Sequence, residues 1–582
     1  MNAGNNLRYA LRTLRRSPGF ACAAVLSLAV GIGANAAIFS IVNGLLLHPA
    51  GIEKPEELVA PRVTYKKLNL DRIEMSATDF NDVRKSPEMF PKAAMANVAG
   101  FNYTGGDSPV RLQGGTVTSQ WFDVFGAKPI LGRAFRPEED QPGANKVAVL
   151  SFDIWNRMFG ADRGIVGRSI ELNQELYRVV GIMPANFRWP TQADIWVPLG
   201  LPADAFSANN RFNENYTVVA RLRPGATLAA ARSFMQVLTK RAEDSNPRLA
   251  SFARSAQWSM VVEPFTELTS GNLEGPMLIL LGAVGFVLLI ACSNIAGLML
   301  VRATGRAREL AIRTSLGASR SDLIKQAFAE AILLSLAGTA AGIVSASAIL
   351  KTLLSLAPAQ LGSGVVIRMD VYVLSFAIGV GLFTALLFGL APAWHMSRLG
   401  QNYAQLKEGG RSDTEGHHRQ KLRGALVAAQ VALALVLLVG AGLFIKSLSK
   451  LRDVDTGFRP HGVISASVAL PSAQYSAEDK QAAFFHSALE NLSASPGVET
   501  AAVIEPLPFG GDDSSASFQI EGRVGRPGDP GPHGGIRKIS ADYFSAMGIA
   551  LRKGRFFTDA DRMNSQPVAI VDENLARQYW PN

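Results

Sequence analysis

The sequence predicts a membrane α-helical protein that also carries extracytoplasmic α+β domains. Its 582 residues are 48% hydrophobic and only 18% charged, which is unusual for a soluble protein. Several long uncharged runs alternate with long polar stretches, and basic residues cluster beside alternate runs. That distribution follows the positive-inside rule. We therefore expect about five transmembrane helices, with the N-terminus inside the cell.

The run from Gly275 to Val301 carries no charge. At about 1.5 Å per residue it exceeds the roughly 30 Å hydrocarbon core of a bilayer. The same reasoning along the chain predicts eleven segments. They are a cytoplasmic amphipathic helix (1–16), a first transmembrane helix (17–47), a first extracytoplasmic domain (48–274), a second transmembrane helix (276–301), a basic cytoplasmic segment (302–325), a third transmembrane helix (327–356), an outer loop (357–370), a fourth transmembrane helix (371–396), a cytoplasmic linker (397–423), a fifth transmembrane helix (424–447) and a second extracytoplasmic domain (448–582).

The first uncharged run, residues 17–47, follows an arginine-rich start. It is too long for the apolar core of a signal peptide, which usually has about 7–15 residues. The small residues at 34–36 keep cleavage open as an alternative. We interpret the run as a retained membrane helix.

The first soluble domain is predicted to be mixed α+β. Runs such as 147–151 (VAVLS) and 177–182 (YRVVGI) are typical of strands bounded by Gly and Pro turns. Residues 154–159 and 228–238 show helical spacing of apolar side chains instead.

The basic segment 302–325 has the pattern of an amphipathic helix. Arg306, Glu309 and Arg313 recur on one helical face together with Arg302, whereas Leu310 lies on the other face. Gly317 is placed to end the helix. A loop that only sets topology needs positive charge but neither amphipathicity nor caps. We favour a docking element for a cytoplasmic partner, and a plain positive-inside loop remains the alternative.

An internal repeat is visible in the two soluble domains. Phe122-x-x-Phe-Gly and the following 131–135 (LGRAF) correspond to Phe544-x-x-Met-Gly and 553–557 (KGRFF). Residues 147–150 (VAVL) then recur as 568–571 (VAIV). We infer that the chain contains two copies of one unit and expect the second copy to be incomplete.

The string 306–338 (RARELAIRTSLGASRSDLIKQAFAEAILLSLAG) resembles the signature of the FtsX/MacB-type ABC transporter permeases. The duplication resembles a group of such permeases from acidobacteria. The resemblance implies that both soluble domains are MacB-like core domains in the periplasm and that the protein lies in the inner membrane. It implies a separate ABC ATPase partner that binds the ATP, and helices that transmit motion for export. It also implies a dimer-like arrangement of the two repeats. The implied ATPase-coupling residues are Arg306, Glu309, Leu310, Arg313, Leu316 and Gly317.

The sequence shows no catalytic motif. It contains no G-x-x-x-x-G-K-[ST] phosphate loop, no H-E-x-x-H and no G-x-S-x-G, so we expect no enzyme activity, no cofactor and no metal. The formal net charge of +10 is explained by topology, and we expect no nucleic-acid partner. Two other function classes stay open, namely a membrane-anchored scaffold or sensor with two outer binding domains and an ion-coupled secondary transporter.

Three features within the apolar runs have structural interpretations. Cys22 and Cys292 are read as packing residues. The small residues Gly31, Gly33, Gly338, Gly342 and Ser345 suit close helix packing. Glu330, near the basic end of the third helix, is interpreted as structural rather than as part of a proton relay.

Overall fold

The computed structural model describes residues 3–47, 51–106, 108–245, 247–305, 320–356, 367–387, 414–471, 474–510, 514–523, 531–562 and 564–580. The chain forms two compact units. One comprises residues 1–50 and 266–452, and the other comprises residues 51–265 and 453–582. The first unit contains the membrane helices and the second contains the soluble domains.

The α-helices are numbered here in chain order. They are α1 (Ala3–Arg15), α2 (Pro18–Val42), α3 (Ala77–Arg84), α4 (Trp121–Phe125), α5 (Phe152–Phe159), α6 (Leu228–Ser245), α7 (Pro247–Ala256), α8 (Thr266–Ser270), α9 (Glu274–Gly305), α10 (Arg320–Leu356), α11 (Val371–Leu387), α12 (Thr414–Arg452), α13 (Glu478–Ser493), α14 (Tyr543–Ala546) and α15 (Glu573–Tyr579).

The strands are numbered in the same way. They are β1 (Leu58–Tyr65), β2 (Leu70–Ile73), β3 (Met75–Ser76), β4 (Lys92–Tyr103), β5 (Val110–Val117), β6 (Leu131–Gly132), β7 (Val147–Leu150), β8 (Ser169–Leu172), β9 (Glu175–Ile182), β10 (Ile195–Pro198), β11 (Glu214–Arg221), β12 (Trp258–Pro264), β13 (Ile504–Glu505), β14 (Ser515–Ser517), β15 (His533–Gly535) and β16 (Lys538–Ile539).

Within the described ranges, four helical segments are long and apolar enough to cross a membrane: Pro18–Leu47, Gly275–Met299, Ile324–Leu356 and Gly424–Arg452. The apolar helix α11 is shorter over its described residues. The predicted fourth span extends beyond it into residues outside the described ranges. The number of five spans therefore stays a prediction.

Several helices extend beyond the boundaries that the sequence predicts; α10, for example, begins at Arg320 and α12 ends at Arg452. Helix α12 begins at Thr414, so the last residues of the predicted linker 397–423 are helical. Residues 415–423 (EGHHRQKLR) are rich in good helix formers, which explains the extension. Helix α9 likewise continues beyond the apolar run to Gly305.

Helix α1 is followed by a short turn and then by α2, which begins at Pro18. Proline is favoured at the start of a helix because its missing N–H would have no intrahelical partner there. Helix α2 ends in a π-helical turn, Asn43–Leu47. Its middle is buried against α9 and α10, with Leu28 and Ile32 fully buried.

Among the described residues of the first soluble domain, twelve strands form one sheet in the order β12-β1-β11-β4-β5-β10-β7-β9-β6, with β2, β3 and β8 paired to its side. Neighbours on the main path are antiparallel except for the pairs β5/β10 and β7/β9, which are parallel. The predicted strands at 147–151 and 177–182 are β7 and β9, and the predicted helices are α5 and α6. The mixed α+β prediction is confirmed.

Two apolar cores lie along this sheet. One packs α3, α6 and α7 against β1, β4, β11 and β12. The other packs α5 against β7, β8, β9 and β10. Between them α4 contributes Trp121, Phe122 and Phe125 to a buried aromatic cluster that includes Phe187 and Phe265. Edge-to-face contacts of this kind add about 0.5–1.5 kcal/mol per pair beyond area burial.

The second soluble segment, residues 453–582, has less regular structure over its described residues. It contains α13 to α15 and two small two-stranded sheets, β13/β16 and β14/β15. Val568 is 46% exposed, whereas Val147, its counterpart in the predicted repeat, is 4% exposed. The difference arises because the strands flanking β7, namely β9 and β10, have no counterpart among the described residues of this segment.

Candidate coupling region of the membrane helices

The predicted ATPase-coupling residues lie outside the described residues. They are Arg306, Glu309, Leu310, Arg313, Leu316 and Gly317. The described parts of the membrane unit show how the helices on either side of this segment, α9 and α10, are connected to their neighbours.

Arg302 ties the basic end of α9 to the turn between α1 and α2. Its Nη2 donates hydrogen bonds to the Thr13 carbonyl oxygen at 3.0 Å and to the Ser17 hydroxyl at 2.5 Å. Its guanidinium carbon lies 4.5 Å from the centroid of the Phe20 ring, a cation–π contact. The sequence places Arg302 in a basic cluster but does not indicate these partners. The last turn of α9 is thereby fixed to the start of α2.

Small residues bring α2 and α10 into close contact. A Cβ built on Gly338 would lie 2.5 Å from the Leu28 Cβ, and one on Gly33 would lie 3.0 Å from the Gly342 carbonyl oxygen. The Ser345 hydroxyl donates to the Ala29 carbonyl oxygen at 3.3 Å. Close approach of backbones at small residues is a recurring way for membrane helices to associate. The packing interpretation of these residues is confirmed.

Polar side chains connect the remaining helices. Asn35 of α2 donates from Nδ2 to the Val284 carbonyl oxygen of α9 at 2.8 Å. Ser335 of α10 donates to the Gly381 carbonyl oxygen of α11 and lies 3.3 Å from the Thr384 hydroxyl. In an apolar environment such bonds are worth on the order of 1 kcal/mol each. Helices α2, α9, α10 and α11 therefore form one connected bundle.

At the opposite end from Arg302, Asn43 joins α2 to α11. The buried Asn43 Nδ2 donates to Asp370 Oδ2 at 2.9 Å, and Asp370 Oδ1 accepts from the Val373 backbone N–H at 2.9 Å. Asp370 thus caps α11 and holds the first residue of the π-helical turn. The rings of Phe39 and Phe376 stack next to this link, with centroids 4.0 Å apart.

Glu330 is 7% exposed and lies within α10. Its structural role remains a prediction. Both cysteines are free; Cys22 is exposed on its helix and Cys292 is buried. No group of three or more His, Cys, Asp or Glu side chains that could hold a metal ion occurs in the part of the chain that the structure describes.

The soluble domain contains a buried polar cluster that is not among the residues predicted from the sequence. Asp79, fully buried at the start of α3, pairs with Arg211, which also lies 2.9 Å from Asp82. The Ser76 hydroxyl donates to Asp79 Oδ2 at 2.8 Å and accepts from the Asp79 backbone N–H. Burial raises the pKa of Asp79 to about 6, although the positive charge of Arg211 acts to lower this pKa. The Ser-x-x-Asp spacing of a helix start was the available signal.

Glu214 lies at the start of β11 in the same region. It accepts a hydrogen bond from the Tyr65 hydroxyl. Burial raises the pKa of Glu214 to about 8, and the nearby Asp79 charge acts in the same direction. A carboxyl group with this pKa is largely protonated at neutral pH.

Two protein families match the chain. The family described as MacB-like periplasmic core domain matches residues 21–236, and the family described as FtsX-like permease C-terminal matches residues 281–400. Together with the apolar helices, these matches define a multi-pass membrane protein with a periplasmic domain. The chain therefore carries the two domain types of the MacB/FtsX-type ABC transporter permeases, and both matches support that assignment.

Curated relatives are similar at modest identity. The chain is 25% identical over 277 residues to the pyoverdine export ATP-binding/permease protein PvdT of Pseudomonas savastanoi pv. phaseolicola, covering 47% of this chain and 39% of that protein. It is 25% identical over 409 residues to the macrolide export ATP-binding/permease protein MacB of Bdellovibrio bacteriovorus, covering 68% of this chain and 59% of that protein. The chain thus spans less than two thirds of the length of these relatives.

One solved structure that matches part of the chain is the periplasmic region of MacB from Actinobacillus actinomycetemcomitans. The match has 15% sequence identity and a TM-score of 0.27, and it covers 38% of this chain and 94% of that structure.

Proposed function

We propose that this chain is the non-catalytic permease subunit of an export-type ABC transporter in the inner membrane. In this proposal a separate ATPase subunit binds and hydrolyses ATP, and the membrane helices transmit its motion to the extracytoplasmic domains. The observation that carries the proposal is the FtsX-like match over residues 281–400, which includes most of α9, all of α10 and the predicted coupling segment between them.

The contacts of the membrane unit support transmission of force through packed helices. The coupling segment connects α9 to α10 in the chain. Motion of the segment therefore moves the end of α9, where Arg302 holds the α1–α2 turn. It also moves α10, which packs directly on α2 at Gly33 and Gly338. Since close-packed interfaces do not deform continuously, the bundle moves as a unit.

The outer ends of the helices then carry the displacement to the soluble domain. Helix α2 leads through the π-helical turn into residues 51–265. Asn43, the first residue of that turn, is held by Asp370 at the start of α11. Isolated π-helical turns are frequent at functional positions in helices. A link at this turn therefore couples α11 to the connection between membrane helix and outer domain.

The ATP-binding role of the partner is inferred from two facts. The relatives PvdT and MacB are named as combined ATP-binding/permease proteins. The 582 residues of this chain contain no phosphate-binding loop. A separate polypeptide that binds ATP would combine with this permease chain to supply both parts that the names of these relatives join.

Reconstitution tests the proposal. The chain is co-expressed with an ABC ATPase encoded next to it and purified through a tag on the chain alone. Co-purification of the ATPase, together with ATP hydrolysis in proteoliposomes above that of either protein alone, is the expected result. An ATPase that neither co-purifies nor responds to the chain would favour the scaffold or sensor alternative.

A further inference from the structure

The point at which the chain enters the first soluble domain is held by a specific turn. The Glu53 backbone N–H donates to the Phe125 carbonyl oxygen at 2.9 Å. The next residue, Gly126, ends α4 with φ at +72°. A Cβ built on Gly126 would lie 2.6 Å from the Glu53 Cβ, so only glycine allows this approach. We name this contact the first junction clamp; it comprises Glu53, Phe125 and Gly126.

Arg221 of β11 reinforces the first junction clamp. Its Nη2 donates to the Glu53 carbonyl oxygen at 2.6 Å and to the Val124 carbonyl oxygen at 2.8 Å. Its Nη1 lies 3.1 Å from Glu57 Oε2. One charged side chain thus joins the entering segment, α4 and the central sheet. Hydrogen bonds from a charged donor are stronger than those between neutral groups.

The second soluble segment repeats the clamp after α12. The Arg459 backbone N–H donates to the Met547 carbonyl oxygen at 2.8 Å, and Gly548 follows with φ at +64°. A Cβ built on Gly548 would lie 2.9 Å from the Arg459 Cδ. Arg459, Met547 and Gly548 form the second junction clamp.

The supports of the two clamps also correspond. The Thr118 hydroxyl accepts from the Met95 N–H at 3.1 Å, and the Ser540 hydroxyl accepts from the Val503 N–H at 3.0 Å. A Gly-Arg pair follows each clamp in the sequence. Its arginine forms a bidentate ion pair with a carboxylate six positions later. The pairs are Arg133 with Glu139 and Arg555 with Asp561. In each case the carboxylate also accepts the backbone N–H three positions before it.

Each clamp therefore lies shortly after a membrane helix, on the same kind of glycine turn. Sequence around the clamp differs: Glu53 corresponds to Arg459, and Phe125 corresponds to Met547. Both clamps retain the backbone hydrogen bond, and both retain a positive-φ glycine in contact with the residue that donates it. An untethered chain would absorb a displacement of the helix by rotating about its own bonds, whereas a chain fixed to a packed turn passes it on.

We propose that the two junction clamps are the points at which motion of α2 and of α12 passes into the soluble domains, with Gly126 and Gly548 as positioning residues. This inference rests on the proposed function, because it specifies where the transmitted motion enters. It assigns a role to the repeat: each copy receives the motion of its own preceding membrane helix.

Substitution of the two glycines tests the assignment. Gly126→Ala and Gly548→Ala are compared with Gly143→Ala and Gly522→Ala. The control glycines also have positive φ, +83° and +76°, but no atom lies within 4 Å of their Cβ positions. The controls thus share the backbone strain without displacing a neighbour. All variants are made in the full chain, assembled with its ATPase in proteoliposomes.

Two readouts separate transmission from stability. The first is stimulated ATP hydrolysis. The second is the distance between spin labels at Asn209→Cys in the soluble domain and Leu26→Cys on α2, with Cys22 and Cys292 replaced by Ala, before and after trapping with vanadate. We expect Gly126→Ala to keep stimulated hydrolysis at the level of Gly143→Ala while losing the trapping-dependent change in distance. A matching label pair between α12 and the second segment reports on Gly548→Ala. Equal distance changes in the clamp and control variants would overturn the inference.

Hydrogen exchange of the unaltered complex gives a test that does not depend on folding of a variant. Amides at Glu53 and Arg459 should be protected equally in the resting and trapped states. Rapid exchange at these amides in the trapped state would show that the clamps open, which overturns their role. If the unaltered chain neither stimulates the ATPase nor changes distance, the proposed function fails and this inference fails with it.

Discussion

Replacement of Gly338 by alanine is expected to destabilise the membrane bundle. Alanine is normally better than glycine in a helix by about 1 kcal/mol. At Gly338, however, the new Cβ would lie 2.5 Å from the Leu28 Cβ and 3.0 Å from the Leu28 Cδ1. Apolar carbons prefer a separation of about 3.5–4.0 Å. The Leu28 Cβ is attached directly to the backbone, so it cannot move aside by a rotamer change.

Helices α2 and α10 must therefore separate by about 1 Å near this contact, given the preferred carbon–carbon distance. Overpacking of this kind costs about 1–3 kcal/mol. Gly33→Ala has the same effect from the other helix, because its Cβ would lie 3.0 Å from the Gly342 carbonyl oxygen. The double variant should lose less stability than the two single variants together, since one separation of α2 from α10 relieves both steric contacts.

The matched control is Gly282→Ala on α9, where no atom lies within 4 Å of the Cβ position. The control receives the gain in helix propensity without the steric cost. All variants carry Cys22→Ala, because Cys22 is exposed and would react with a thiol dye in the folded protein. Thermal unfolding in detergent, followed by the fluorescence of a thiol-reactive dye at the buried Cys292, compares the variants. A Gly338→Ala protein that unfolds at the same temperature as Gly282→Ala, or higher, would refute the packing argument.

Three further predictions concern the soluble domain and the coupling segment. Since burial raises the pKa of Glu214 from 4.5 to about 8, the folded domain retains a proton that the unfolded chain releases. Stability of the domain should thus fall as pH rises from about 4.5 to about 8, and Glu214→Gln should remove this dependence in a pH series of unfolding temperatures. Asp79→Ala leaves Arg211 buried without its main partner and should cost about 3–5 kcal/mol in denaturant unfolding, much more than Asp82→Ala at a partly exposed position. Equal losses would contradict the assigned roles. Arg306→Lys combined with Arg313→Lys should weaken stimulation of the ATPase, because lysine cannot form the bidentate hydrogen bonds of arginine. Unchanged stimulation would leave the segment as a positive-inside loop.

Several properties were determined by local features of the sequence. Uncharged runs of sufficient length identify membrane helices because a backbone in lipid must satisfy its own hydrogen bonds. Short apolar runs bounded by turn residues indicate β7 and β9, and helical spacing of apolar side chains indicates α5 and α6. The family resemblance at 306–338 was likewise visible in a continuous string. The glycines Gly33 and Gly338 were recognised as packing residues from their type alone.

Other properties depend on contacts between residues far apart in the chain, which the tertiary structure alone decides. Arg302 was one of several arginines in a basic cluster; only the arrangement of α1 and α9 places it on Thr13 and Ser17. Asp79 and Arg211 are remote in sequence and become an ion pair because α3 packs beside the segment that leads into β11. Gly126 and Glu53 are also remote in sequence, and they meet because the segment that enters the domain packs against the end of α4. The positions of polar partners are set by how helices and sheet pack, and a local sequence pattern carries no information on that packing.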